Sequence, residues 1–196
     1  MLEAANALTD DDCRGPSRLL GWTRGHLLTH LARNAQSHIR LFECAGRGEI
    51  GDQYANGMSQ RNADIEAGAN RSAVDLLADL RSHTWGLEGM WARATAETWQ
   101  GHARRPTDEV IPISELVFLR WREVAVHLID LDIGIDHHSW SDLYVQLETD
   151  RHLRSLHKKG FQLPAAAITQ SSSLQLAWIM QRSSIDGVED GPGFQI

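Results

Sequence analysis

Glu123 and His127 stand four residues apart in LRWREVAVHLIDL, residues 119–131, inside an otherwise apolar helical pattern. Residues at that spacing share one face of a helix, so a carboxylate and an imidazole there can reach a single ion. On a wheel of about 100° per residue with Val124 at zero, Val117, Trp121, Leu128 and Leu131 fall within roughly 60°. His127 lies about 60° off and Glu123 about 100° off on the same side, at the rim of the apolar arc. The same construction on the helical pattern that starts at Arg24, with Leu31 at zero, puts His30 about 100° and His26 about 140° away. His30 is therefore the nearer of the two to that helix's packing face. Two neutral imidazoles and a carboxylate make a three-ligand set for Zn²⁺ or a similar divalent ion, leaving a coordination position open for a reactant. The plainer reading of the same residues is a solvated i, i+4 pair and a hydrogen-bonded histidine near a core.

Helices must hold these side chains. Thr23 before RGHLLTHLARNAQSHIRLFECA predicts an N-capped helix from Arg24 to the Gly46-Arg47-Gly48 breaker, with Leu28, Leu31, Ala35, Ile39 and Phe42 in one arc. A short helix is expected over residues 60–68. Ser72, with Asp75 three residues on, opens a second long helix in which Leu76, Leu77, Leu80, Leu87, Trp91 and Ala94 have near-heptad spacing. Residues 100–112, with two prolines and several charges, read as a loop. Pro112 and Ser114 start a third long helix, which Gly134 ends. Trp85, Trp91 and Trp121 have core spacing, whereas His38, His83, His102, His137, His138, His152 and His157 read mostly as surface residues. Three long amphipathic helices and a shorter one imply a mainly α fold, a four-helix bundle over residues 1–136. Residues 137–196 are expected to form a short, reduced α/β segment packing on the bundle. It holds a helix near 142–158, a candidate strand at 163–168 (LPAAAI), a helix at 174–182 and a turn-rich tail.

Bulk properties narrow the function. The 196 residues suit one main domain, and a formal net charge of -7 with no basic run longer than two argues against nucleic acid or anionic membrane as partner. Cys13 and Cys44 are isolated, as in a reducing compartment. With neither a signal-peptide pattern nor an apolar span of about 20 residues, a cytoplasmic location is expected. The sequence contains no G-x-S-x-G, Walker or HExxH motif.

Three runs carry a resemblance. PSRLLGWTRGHLLTHLARNAQ (16–36), RNADIEAGANRSAVDLLADLR (61–81) and LRWREVAVHLIDLDIG (119–134) together resemble the mycothiol-dependent maleylpyruvate isomerases. These belong to the DinB-like superfamily of metal-binding four-helix bundles. The resemblance implies a zinc ion held by His30, Glu123 and His127, with mycothiol, a low-molecular-weight thiol, as cofactor. The implied reaction is the cis-trans isomerisation of maleylpyruvate to fumarylpyruvate. A divalent cation stabilises the thiolate, whose addition to the activated double bond allows rotation before elimination returns the thiol. LAWIMQR (176–182) is similar to a LAWLxGR pattern whose arginine matters for activity. This implies a catalytic role for Arg182, with a guanidinium suited to a substrate carboxylate or to the thiol's polar groups. Its plainer reading is an arginine favoured at a helix C-terminus. Arg120 lies beside Glu123 on the wheel and is placed to buttress that carboxylate. Residues 140–196 are fewer than the family's usual C-terminal α/β domain, which keeps two alternatives in view. One is an S-transferase using mycothiol or a similar thiol; the other is a non-catalytic metal-binding bundle. The expected partners are a small-molecule substrate and the thiol, in a monomer or homodimer.

Overall fold

Thr23 starts the helix around which the first part of the chain is organised. In the computed structural model, which describes residues 1–193, two short helices, α1 (Leu2–Asn6) and α2 (Asp10–Arg14), precede α3 (Arg24–Gly46). The Thr23 hydroxyl accepts from His26 N and the His26 ring accepts from Thr23 N, so each caps the other. Leu27, Leu28, Leu31, Ala32, Ala35, Leu41 and Phe42 of α3 are buried, and so are the polar His30, Asn34 and His38. A helix sequestered on so many sides needs neighbours all round.

Those neighbours follow in order. Strand β1 (Gly51–Asp52) leads to α4 (Gly57–Gly68), α5 (Ala73–Arg93), the single turn α6 (Ala96–Trp99), strands β2 (His102–Arg104) and β3 (Val110–Pro112), and then α7 (Glu115–Asp130). Helices α3, α4, α5 and α7 make the bundle. Leu41 and Phe42 from α3, Met90 from α5 and Leu116 from α7 share one core with Ala103, Ile111 and Ile113. α4 has a different attachment, because Ile65 is its one buried residue. A Cβ on Gly25 would overlap the Ala69 carbonyl oxygen, and one on Gly68 would meet the Thr29 side chain. The two glycines let the α4 end and α3 approach backbone to backbone. Arg61, about two turns before Gly68, is thereby carried along α3.

Residues 100–112 are not the loop expected from their prolines and charges. β2 pairs parallel with β1 and antiparallel with β3, and Ala103 and Ile111 stand opposite each other and turn into the bundle core. Asp108, at φ 64°, makes the turn of the hairpin. Strands of three residues are too short for a period-2 pattern to show against such flanks.

α7 differs from expectation in two ways. It ends at Asp130 rather than near Gly134, because Asp132 adopts a left-handed φ of 54° and bonds back to Ile129 O. Its buried face is also not the apolar arc. Val117 and Trp121 are 37% and 36% exposed, while Leu116, Arg120, His127 and Asp130 are buried, with Glu123 on the same line. Trp85 too is exposed, so of the three tryptophans with core spacing only Trp91 packs against the core.

A second compact unit begins at Leu128, within the last turn of α7. It contains a 3-10 turn (His137–Ser139), α8 (Asp142–Lys158), α9 (Ala165–Ile168) and α10 (Ser172–Ile179). The candidate strand at 163–168 is a helical turn, since three alanines after Pro164 are better helix formers than strand formers. No strand occurs among the described residues of this unit, and the small sheet lies wholly in the first. Leu156, Ala167, Trp178, Ile179 and Ile185 form its core, with Trp178 Nε1 donating to Glu189 O at 2.9 Å. α10 closes with Gln181 N on Trp178 O and Arg182 N on Ala177 O, the Schellman arrangement. Gln181, where the LAWLxGR pattern has glycine, accepts a φ of 58° and anchors its amide on Gly191 O. The chain is thus mainly α, as its patterning predicts. Among the described residues no helix is long and apolar enough to cross a membrane.

Candidate metal centre

The first unit brings His30 of α3 together with Glu123 and His127 of α7. His30 Nε2 lies 2.9 Å from Glu123 Oε2, and His127 Nε2 lies 3.3 Å from the same oxygen. One donor atom from each residue falls within 4.8 Å of the other two. The two imidazoles meet edge to face, their centroids 4.9 Å apart. Tetrahedral Zn²⁺ with bonds of about 2.0–2.1 Å sets its donors roughly 3.3 Å apart, so this donor set suits such an ion with small adjustments.

The electrostatics also suit a cation. Burial lowers His30 to a pKa of about 4 despite the opposing pull of Glu123, which keeps the ring neutral and able to ligate. Burial alone would raise Glu123, but hydrogen bonds from His127 and His30 hold it well below the usual carboxylate range. The site therefore offers a carboxylate and a neutral imidazole at pH 7.

The surrounding residues explain the motifs. Trp22 packs against the His30 ring, 5.6 Å between centroids. Arg61 lies over Trp22 and Tyr54 and donates through Nη2 to His30 Nδ1 at 2.7 Å. In that arrangement the His30 proton sits on Nε2 and points at Glu123. An ion on Nε2 would move the proton to Nδ1, and Arg61 would have to give way. Arg120, buried, donates through Nη1 to Leu31 O and Asn34 Oδ1, both at 2.8 Å. Its bonds run to α3 and, through Nη2, to Thr84 Oγ1 of α5 at 3.5 Å, rather than to the Glu123 carboxylate it was expected to buttress. His26 is spent on the helix cap and on Glu66, 3.1 Å away, which leaves His30 as the α3 member of the cluster.

Arg61, Tyr54, Asn34 and Trp22 were not singled out by sequence. Arg61 opens the second motif run but lies 31 residues from His30, and no periodicity links them. Several histidines expected at the surface are inside: His38, His137 and His152 are buried. Arg182 lies just beyond α10, its Nε and Nη2 each 2.9 Å from the two oxygens of Asp130, and its Nη1 on Met180 O.

His38 makes the site's neighbourhood acid-sensitive. Burial, aided by Arg120, lowers it to a pKa of about 3, and its Nδ1 has no hydrogen-bond partner. The unfolded ring takes up its proton at about 6.5, so this contribution to stability is whole above that pH and is lost as pH falls toward 3. His38→Leu is expected to recover about 2 kcal/mol of the wild-type loss at pH 5, about 1.5 pK units at 1.36 kcal/mol each. Urea melts from pH 7 to 5 would show it, and a variant whose stability falls in parallel with wild type would refute the assignment.

Comparison with known proteins bears on the family and the fold. Residues 1–132 match the family model described as the mycothiol maleylpyruvate isomerase N-terminal domain. A crystal structure of a mycothiol-dependent maleylpyruvate isomerase superposes with a TM-score of 0.87 at 20% identity, over 98% of this chain and 90% of that one. The structure of a histidine-to-alanine mutant of such an enzyme gives the same TM-score and coverage at 19% identity. At these identities the likeness establishes the fold. No curated protein matches.

Proposed function

Since the chain belongs to the mycothiol maleylpyruvate isomerase N-terminal domain family, we propose that it is a metal- and thiol-dependent cis-trans isomerase of a small unsaturated acid. The observation that carries this reading is the convergence of His30, Glu123 and His127 into one donor set, the two imidazoles buried and the carboxylate half-buried. These three would hold the divalent ion, zinc by its fit to two imidazoles and a carboxylate. When bound, the ion and a thiol such as mycothiol supply a thiolate at neutral pH, able to add reversibly to an activated double bond. The chain's own residues prepare for that. Burial keeps His30 neutral, the two imidazoles keep Glu123 ionised, and Trp22 fixes the His30 ring. Arg182 is the candidate catalytic arginine for a carboxylate of the substrate or a polar group of the thiol.

The test is to assay zinc-loaded protein with maleylpyruvate, with and without mycothiol. Fumarylpyruvate is expected only when the thiol is present, with about one zinc per chain. A stable thiol adduct in place of the isomer would make the protein an S-transferase. Purified protein that takes up no metal would remove the basis of the proposal.

A further inference from the structure

A cavity of about 480 Å³ opens between α3, α4 and the segment joining β1 to α4. Small-ligand pockets span about 300–1,000 Å³, so it has room for an organic acid. Arg33 and Arg40 of α3 and Arg61 of α4 line it. Each carries a buried guanidinium nitrogen with no hydrogen-bond partner: Arg33 Nε, Arg40 Nη2 and Arg61 Nε. A buried donor left unpaired costs about 1–3 kcal/mol, and more on a charged group. The three side chains gather positive charge around one space.

The acceptor called for is an anion, because these charges are poorly neutralised by the protein. Arg33 shares the single Asp79 carboxylate with Arg71 and His83. Among the described residues Arg40 reaches no carboxylate, only the Cys44 sulfur at 3.9 Å. Arg61 is held by two aromatic faces, the His30 imidazole and the Asn62 amide oxygen, none of them an anion. The lining carboxylates, Glu43 and Asp64, are both exposed, and Asp64 already accepts from Gln60.

We propose that this cavity is an anion subsite that takes a carboxylate of a small organic acid between Arg33, Arg40 and Arg61. Planar guanidinium forks suit carboxylates. Arg61 touches both the cavity and His30, so an acid seated there lies one side chain from the metal-ligand cluster. That the acid is the substrate of the reaction rests on the isomerase reading; the subsite itself rests on the three arginines.

Calorimetric titration of the full chain with maleate, without thiol, tests the subsite in zinc-loaded and in chelator-treated protein. Dimethyl maleate, of similar shape and no charge, is the control. Maleate is expected to bind in both preparations and the ester in neither. Arg40→Met keeps the aliphatic stem and leaves the metal cluster untouched; it is expected to weaken maleate at least about tenfold with an unchanged melting temperature, the loss expected of one charge-assisted hydrogen bond. Arg61→Met should also weaken maleate, although it removes the bond to His30 Nδ1 and its melting temperature is expected to fall; it keeps the test open if Arg40→Met folds poorly. Maleate bound no better than its ester, or equally by both folded variants, would overturn the subsite. Arginine-dependent maleate binding without zinc uptake or turnover would instead overturn the isomerase reading and leave the subsite standing.

Discussion

His127→Ala is expected to lower zinc affinity by at least about 100-fold, since losing even an outer partner of a ligand costs about 10–100-fold, and to abolish isomerisation. His127 supplies one of three donors within 4.8 Å of one another, and two donors close no site around an ion that wants four. Folding gives a second readout. An ion that binds only the folded chain stabilises it by about 4 kcal/mol when present at roughly a thousand times its dissociation constant. Chelator should therefore lower the melting temperature of the wild type and leave that of His127→Ala unchanged. Comparing the variant with chelated wild type separates loss of the ion from the cost of truncating a buried side chain. Glu123→Gln keeps the shape of the side chain and removes its charge, and should fail to load zinc in the same way. Equal zinc content in wild type and both variants would place the ion elsewhere.

The candidate ligands are legible in the sequence because their signals are local. Glu123 and His127 share a face at i, i+4, and Thr23 fixes the start of α3 and with it the phase of His30. The face on which they would lie was less legible. A wheel built on hydrophobicity aligns α7 on Val124, whereas the helix buries Arg120, His127 and Asp130, with Glu123 half-buried on the same line. Polar groups can take the inner line when each finds a partner there, as Arg120 does on Leu31 O and Asn34. Such partners come from another helix and leave no trace in the periodicity of their own. Arg61 shows the same limit. Its place beside His30 depends on two glycines, Gly25 and Gly68, whose meaning appears only where α3 and α4 meet. In the second unit the apolar run before Ile168 was ambiguous at its length, and helix propensity decided it.

Arg182→Ala is expected to cost about 3–5 kcal/mol of stability, because it strips the guanidinium from a carboxylate that cannot reach water. Asp130 is fully buried, and Arg182 grips it through two bonds of 2.9 Å while a third holds Met180 O. Activity lost in that variant would by itself say little, since a destabilised second unit would give the same result. The pair Arg182→Met and Asp130→Leu replaces both charges with apolar groups of similar bulk, a change that is often neutral or stabilising for buried ion pairs. Denaturant melts should show the double variant recovering most of the single variant's loss. A catalytic Arg182 requires that its turnover does not recover and stays at least about 100-fold down, as when a donor to a reacting group is removed. Asp130 would then serve to fix the plane of the guanidinium, a preorganisation that spares the cost of orienting it when the reactant arrives. Turnover returning with stability would instead make Arg182 a clamp on the C-terminal end of α7, with no contact to the reacting groups.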